Sequence, residues 1–389
     1  MLTGERLEQA IKTIMARFDE VNSFYIAKIA AQIKKIGELS QSSINMMIVM
    51  ADMGADMLEV EEKLRLATAL NQKELYAVYQ KAVNEVYTDP RFAEAIKHKP
   101  LTPTQKQHIV TYVNTVAAQT SNSLANLSNT TYANQIYRDS VDRGILAVTT
   151  GLTDYTSAMR QTIRDVAYGG FQVYYPSGYH RRLDTAARQN IIDGARQINQ
   201  NASIMMGEEL NYNAIELSAH LASAPDHEPV QGRIFLKSEF EKMQSGASFV
   251  DIHKNAYEGF RRPFGEWNCM HIAMAFDTRY CTPRYTEQQL ADWAKANAEG
   301  CEIGGKTYTI YQARQLMRNT ETSVRHWKDV GNAARISGDR DLQIDAQRKI
   351  NTLVAQYAVI ANAAGQRMQK DRMTVDGYRA VKVPAKGGR

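Results

Sequence analysis

Cysteine is scarce in this 389-residue chain: Cys269, Cys281 and Cys301 are an odd, thinly spread set. They cannot build a disulfide framework, and they point to assembly in a reducing cytoplasm. Long apolar runs are also missing. The longest, Met46 to Ala51, falls far short of the roughly twenty residues needed to cross a bilayer. The N-terminus alternates apolar and charged residues and lacks the apolar core of a secretion signal. Neither sign of charge dominates, since 47 Lys and Arg against 42 Asp and Glu leave only +5, at most a weak general attraction to nucleic acid or anionic surfaces. Glycine-rich phosphate cradles are absent. No Gly-x-Gly-x-x-Gly follows an expected strand, and Lys306-Thr307 is preceded only by Gly304-Gly305, so neither dinucleotide-binding nor P-loop chemistry is supported.

What remains is the composition of a folded protein, 44% hydrophobic and 23% charged, long enough for two or three domains. Leu7, Ile11, Ile14, Met15 and Phe18, then Ile26, Ile29, Ile33 and Ile36, recur at three- and four-residue steps. That period predicts amphipathic helices from Glu5 to about Tyr87. Met46, Met47, Met50, Met53 and Met57 give this part an adaptable apolar surface, read first as helical core and second as a partner groove. Pro90 and Lys99-Pro-Leu-Thr-Pro103 interrupt the pattern. Helices are expected at Gln105 to Leu127, Tyr132 to Val148 and Thr153 to Ala167, the last capped by Thr153-Asp154. A turn at Tyr174 to Gly178 precedes one long helix from Arg182 to Leu210.

Strand character begins only afterwards. Ile215, Leu217, Ala219 and Leu221 alternate with Glu216, Ser218 and His220, which would place the three polar groups on one strand face. Val230 to Leu236 offers a partner strand, Lys237 to Gln244 and Phe249 to Phe260 read as helix, and Asn268 to Phe276 reads as extended. Thr286 to Ala298 reads as a short helix, and Gly304-Gly305 as a hairpin turn. Two long helices joined at Ser337-Gly338 should pack as an antiparallel hairpin. Beyond Gly365 a mobile basic tail is expected, six Lys or Arg over Lys370 to Arg389 against Asp371 and Asp376. The expected class is therefore α+β and mostly helical: an N-terminal helical region (1–100), a helical middle (101–210), a small mixed domain with a short sheet (211–310), a helical hairpin (311–365) and the tail (366–389).

The reactive side chains gather in the mixed domain. Cys269 as nucleophile, His220 or His227 as base and Asp226 or Glu216 as orienting acid supply the types for thiol catalysis, without an elbow or oxyanion signature. His220, His227, Cys269 and His271 suit zinc chemically, although His-x6-His and Cys-x-His are not standard ligand pairs. His227 with His253 or His271 and Arg233 would suit phosphodiester cleavage. Against these stands a satisfied polar network in which Glu216, Ser218, His220 and Asp226 fix strand pairing. On the first hairpin helix, Arg314, Arg318, Arg325, Lys328 and Arg335 form a charged face, read first as solvated and second as a docking face for DNA or protein.

The order of short motifs completes the reading. Asn126-Leu-Ser-Asn-Thr-Thr131, Gly151-Leu-Thr-Asp-Tyr-Thr-Ser-Ala158, Tyr175-Pro-Ser-Gly178, Glu216-Leu-Ser-Ala-His220 with Asp226-His227 and Gln231-Gly-Arg233, and Trp267-Asn-Cys-Met-His271 resemble the phage minor capsid protein 2 family. The resemblance runs from about residue 120 to about residue 380 and includes Arg325-His-Trp-Lys328. The chain departs from the family pattern at Val230, where an aromatic residue is usual, and at Met270, where arginine is usual. Losing a planar cation beside Cys269 weakens anion binding there. The resemblance implies a structural head protein of a tailed bacteriophage, assembled in the host cytoplasm and carried in the virion. It would meet portal or major capsid protein through the N-terminal helices, in several copies per particle, with possible contact to packaged double-stranded DNA and with no membrane and no cofactor. The alternative is a virion-packaged hydrolase or nuclease built on His220, His227 and Cys269.

Overall fold

The three- and four-residue apolar steps do form helices. In the computed structural model, which describes residues 4–38, 43–69, 72–129, 155–175, 177–251, 254–257, 264 and 269–384, the chain begins with α1 (Gly4–Glu38), α2 (Ser43–Thr68), α3 (Gln72–Tyr87), α4 (Pro90–His98) and α5 (Pro103–Asn129). Pro90 and Pro103 start α4 and α5, in the first turn, where the missing N–H is no loss. Then come α6 (Tyr155–Gly169), β1 (Gln172–Tyr174), β2 (His180–Arg182) and α7 (Leu183–Glu209). The mixed region holds β3 (Ala214–Leu217), β4 (Ile234–Leu236), α8 (Lys237–Gln244), β5 (Phe249–Val250), β6 (Ala256–Tyr257), β7 (Ala273–Phe276), α9 (Glu287–Glu299), β8 (Cys301–Ile303) and β9 (Lys306–Tyr308). It is followed by α10 (Ile310–Ser337), α11 (Arg340–Ala363) and a 3-10 turn at Lys370–Met373. The fold is thus mostly helical α+β. The helix expected over Tyr132 to Val148, the cap Thr153-Asp154, His253 and Trp267 lie outside the described residues, as do the side chains of Met46, Met47, Met50 and Met53; Met57 is buried.

Two compact units are each assembled from three segments. One comprises residues 1–12, 70–123 and 188–313, the other residues 13–69, 124–187 and 314–389.

In the first unit β3 lies between β4 and β7, antiparallel to both, with Ile215 opposite Phe235 and Ala275. All four β3 residues are buried, so neither face of this strand meets water. The strand also stops at Leu217, short of the expected Leu221, because the Ser218 hydroxyl accepts the Ile272 N–H (2.8 Å) and the chain then turns. Ser218 and His220 therefore leave the sheet rather than share a face with Glu216. The outward N–H groups of β7 are satisfied by α7: Gln200 accepts from Ala273 (3.2 Å) and Ser203 from Ala275 (2.9 Å). Unpaired edge groups are closed off in this way. Gly207 permits the approach, since a Cβ there would run into the Ala275 methyl group. Of the helix expected over Phe249 to Phe260, residues 249–250 and 256–257 form instead a two-residue ladder, β5 with β6. Asp251 takes the Asn255 backbone N–H (2.8 Å) and its side-chain amide (2.9 Å) on its carboxylate, a local bond that competes with helix.

In the second unit α10 and α11 run antiparallel, as Gly331 faces Ala346 and Tyr357 donates to Glu321 (2.6 Å). Asp339 caps α11 through the Leu342 N–H (2.9 Å). The segment beyond Gly365 departs from expectation, because up to residue 384 it is laid on this unit. Met373 and Val375 are buried, Lys328 donates to Met373 O (2.7 Å), Asn332 to Asp376 O (3.1 Å), and Tyr378 to Gln347 (2.5 Å). Backbone carbonyls and apolar anchors hold it, joined by the pairing of Arg372 with Glu321 (3.8 Å).

His326, on α10 beside Tyr168 (ring centroids 4.4 Å), has no hydrogen-bond partner on either ring nitrogen among the described residues. Burial, then the charges of Arg182 and Arg325, hold its pKa down to about 3. The unfolded chain binds this proton near pH 6.5, so the folded state is fully favoured above that value and loses stability as the pH falls from 6.5 toward 3. Acidification from pH 7 to pH 5 should cost about 2 kcal/mol through this residue. Urea unfolding of the wild type and His326→Gln across that range should show a shallower pH slope in the variant; equal slopes would exclude the effect.

Candidate functional site

The β3–β7 register decides which reactive groups meet. Leu217 opposes Ala273, and continuing that pairing past the strand ends brings His271 level with Ala219 and beside His220. Ser218 N–H donates to Ile272 O (2.9 Å), which holds the extension in place. Residues 221–233 coil through consecutive turns in which His227 N–H and Glu228 N–H donate to Ala224 O and Gln231 N–H donates to His227 O. Those turns carry His227 and Gln231 back over the strand ends.

The result is a buried Cys–His centre. Cys269 Sγ lies 3.2 Å from His227 Nδ1 and 3.5 Å from His271 Nδ1. These three ligand atoms all fall within 4.8 Å of one another, and the residues are at most 2% exposed. His271 Nε2 is 3.2 Å from Gln231 Oε1 and 3.3 Å from Ser223 Oγ. Gln231 Oε1 also accepts the His220 backbone N–H (3.0 Å). His220 stacks on His271 (4.5 Å) and His227 on Phe264 (4.6 Å), while Arg196 donates to Cys269 O (2.9 Å). Val230, Phe240, Phe264 and Leu217 form the apolar surroundings.

The remaining candidates separate. Asp226 is exposed, with its carboxylate 3.8 Å from His227 Nε2, too long for a hydrogen bond. Thiol, imidazole and acid are thus in the order of a catalytic triad, yet a thiol 2% exposed among apolar side chains is not where a substrate carbonyl arrives. Glu216 belongs to a different constellation in the same unit. It accepts from Arg91 Nη1 (2.5 Å) and the Arg284 N–H (2.6 Å), while Arg91 grips Asp89 with two bonds (2.9 and 3.0 Å) and Arg284 donates to Asp89 (2.8 Å). Burial would raise the Asp89 pKa, but the Arg91 hydrogen bonds and charge outweigh it and hold it low. Nothing in the sequence marks Arg91 as this partner.

The basic face expected on α10 is largely taken up inside the second unit. Arg325 pairs with Asp184, Lys328 donates to the chain beyond α11, and Arg314 and Arg318 are partly buried. Burial first, then Arg318 and Arg372, bring Arg314 down to about 10. Arg335 is exposed. Behind Arg325 lies a network that sequence reading missed: Arg182 bonds Asp329 (2.8 Å) and Asp184 (3.3 Å), and Asn22 joins Asp329 (3.2 Å) to the Phe171 N–H (2.8 Å).

The family model described as phage minor capsid protein 2 matches residues 2–358. No curated protein and no solved structure matches the chain. Among the described residues no helix is long and apolar enough to cross a membrane.

Proposed function

Because the chain belongs to the phage minor capsid protein 2 family, we propose that it is a structural piece of a tailed-phage head, present in several copies and bound through its N-terminal helices to the portal or the inner face of the shell. The family match carries this reading. Two exposed leucines on α2, Leu58 (68%) and Leu66 (58%), supply apolar surface of the kind an interface covers. The buried position of Cys269 supports a structural over a hydrolytic role. Phosphate contact with packaged DNA would fall to Arg335, Lys370, Arg379 and Lys382, which are exposed, more than to Arg325 or Lys328, and would weaken steeply with salt.

Amine cross-linking of intact particles followed by mass spectrometry tests the arrangement. Links from Lys12, Lys63 and Lys73 to portal or major capsid protein are expected. Absence of the chain from purified particles, or links to the shell confined to residues beyond 310, would overturn it.

A further inference from the structure

We propose that His227, Cys269 and His271 hold a zinc-class divalent cation, through Nδ1, Sγ and Nδ1. The inference goes beyond the head-protein reading and does not depend on it.

Proton placement supports it first. A backbone N–H can only donate, so the bond from His220 N–H to Gln231 Oε1 (3.0 Å) makes that oxygen an acceptor. The same oxygen faces His271 Nε2 at 3.2 Å, which places the imidazole proton on Nε2 and a lone pair on Nδ1. On His227, the Asp226 carboxylate near Nε2 (3.8 Å) favours the proton there and again leaves a lone pair on Nδ1. Both lone pairs face one sulfur, at 3.2 and 3.5 Å. A single S–H has one proton for two acceptors, whereas a divalent cation accepts from both nitrogens and from the thiolate together.

Geometry supports it second. Zinc–sulfur and zinc–nitrogen lengths of about 2.3 and 2.05 Å at a tetrahedral angle put sulfur and nitrogen roughly 3.5 Å apart. The observed separations already lie close to that edge. The outer groups are those that metal-bound imidazoles use: an amide oxygen and a hydroxyl on His271 and a carboxylate beside His227. One thiolate against a double charge leaves +1 at the centre, and Asp226 is placed to offset it. On binding, the Cys269 thiol gives up its proton to solvent, the sulfur pair forms the metal bond, and water or a fourth side chain completes four-coordination. No redox step is involved.

The test uses the full chain, purified without chelator, with zinc measured by elemental mass spectrometry. About one zinc per chain is expected. After chelator treatment, added Co2+ should give tetrahedral visible bands and a thiolate-to-cobalt charge-transfer band. That band should disappear in Cys269→Ser and persist in Cys281→Ser and Cys301→Ser. Gln231→Leu should keep the fold, as read by circular dichroism, and weaken zinc binding by about ten- to a hundredfold. Should Cys269→Ser fail to fold, the wild-type spectrum decides. A wild-type protein that retains no zinc and gives no charge-transfer band overturns the proposal, as does a band that survives Cys269→Ser or is lost with Cys281 or Cys301.

Discussion

Arg182→Met is expected to destabilise the second unit by about 3–5 kcal/mol, the cost of leaving buried charge without its partner. Arg182 is 7% exposed, and its two carboxylate partners, Asp184 and Asp329, are 2% and 1% exposed. Burial works against the guanidinium charge, and the two acids outweigh it, so Arg182 stays cationic. Methionine keeps most of the volume and removes the charge. Asp184 would then rely on Arg325, and Asp329 on the Asn22 amide (3.2 Å). The variant's deficit should shrink at low pH. Burial already holds the Asp329 pKa above its ordinary value against the opposing pull of Arg182; removing that cation raises it further, so the folded variant holds more of a proton that the unfolded chain releases, and its stability falls as pH rises through that window. Arg182→Met/Asp329→Asn should recover part of the loss. Urea unfolding of the three proteins at pH 7 and pH 5 checks this, and a deficit below about 1 kcal/mol would show that the pair contributes no more than a surface bridge.

Features set by near neighbours were legible in the sequence. Lys237 to Gln244 is a helix with the expected bounds, Thr286 caps the next helix by accepting the Gln289 N–H (3.1 Å), and Gly304-Gly305 turns the β8–β9 hairpin with φ of 58° and 77°. Each depends on residues within a few positions. His227, Cys269 and His271 were legible as residue types suited to one centre. Their meeting depends on antiparallel pairing between strands about sixty residues apart, and nothing local encodes that register. Arg325 was misjudged because charged helical residues usually face water, and its acid, Asp184, lies 141 residues away. The alternating polar stretch after Ala214 failed for a related reason. Period-two patterning marks a half-solvated strand, whereas β3 is buried on both faces and places Glu216 against arginines brought from α4 and from the loop before α9.

Those arginines make Glu216→Leu the second variant with a large expected cost, again about 3–5 kcal/mol. Glu216 is 2% exposed and Arg91 10% exposed. Leucine fills the space but removes the acceptor for Arg91 Nη1 and for the Arg284 N–H. Asp89 then faces two guanidinium groups alone. Glu216→Gln should cost less, because its carbonyl oxygen can still accept one of the two bonds. Arg91→Met also breaks the cluster, but it leaves two buried acids against Arg284, so it should cost as much as Glu216→Leu. The double variant Arg91→Met/Glu216→Leu removes one charge of each sign and should fall well short of the sum of the two single losses, a coupling that only contacting charges produce. Additive losses in a double-mutant cycle by urea unfolding would mean that the two side chains act independently. Strong coupling instead makes Glu216 a clamp that ties β3 to α4. It would also explain why an acid sits mid-strand beside the Cys–His centre without belonging to it: it fixes the strand from which Ser218 and His220 emerge.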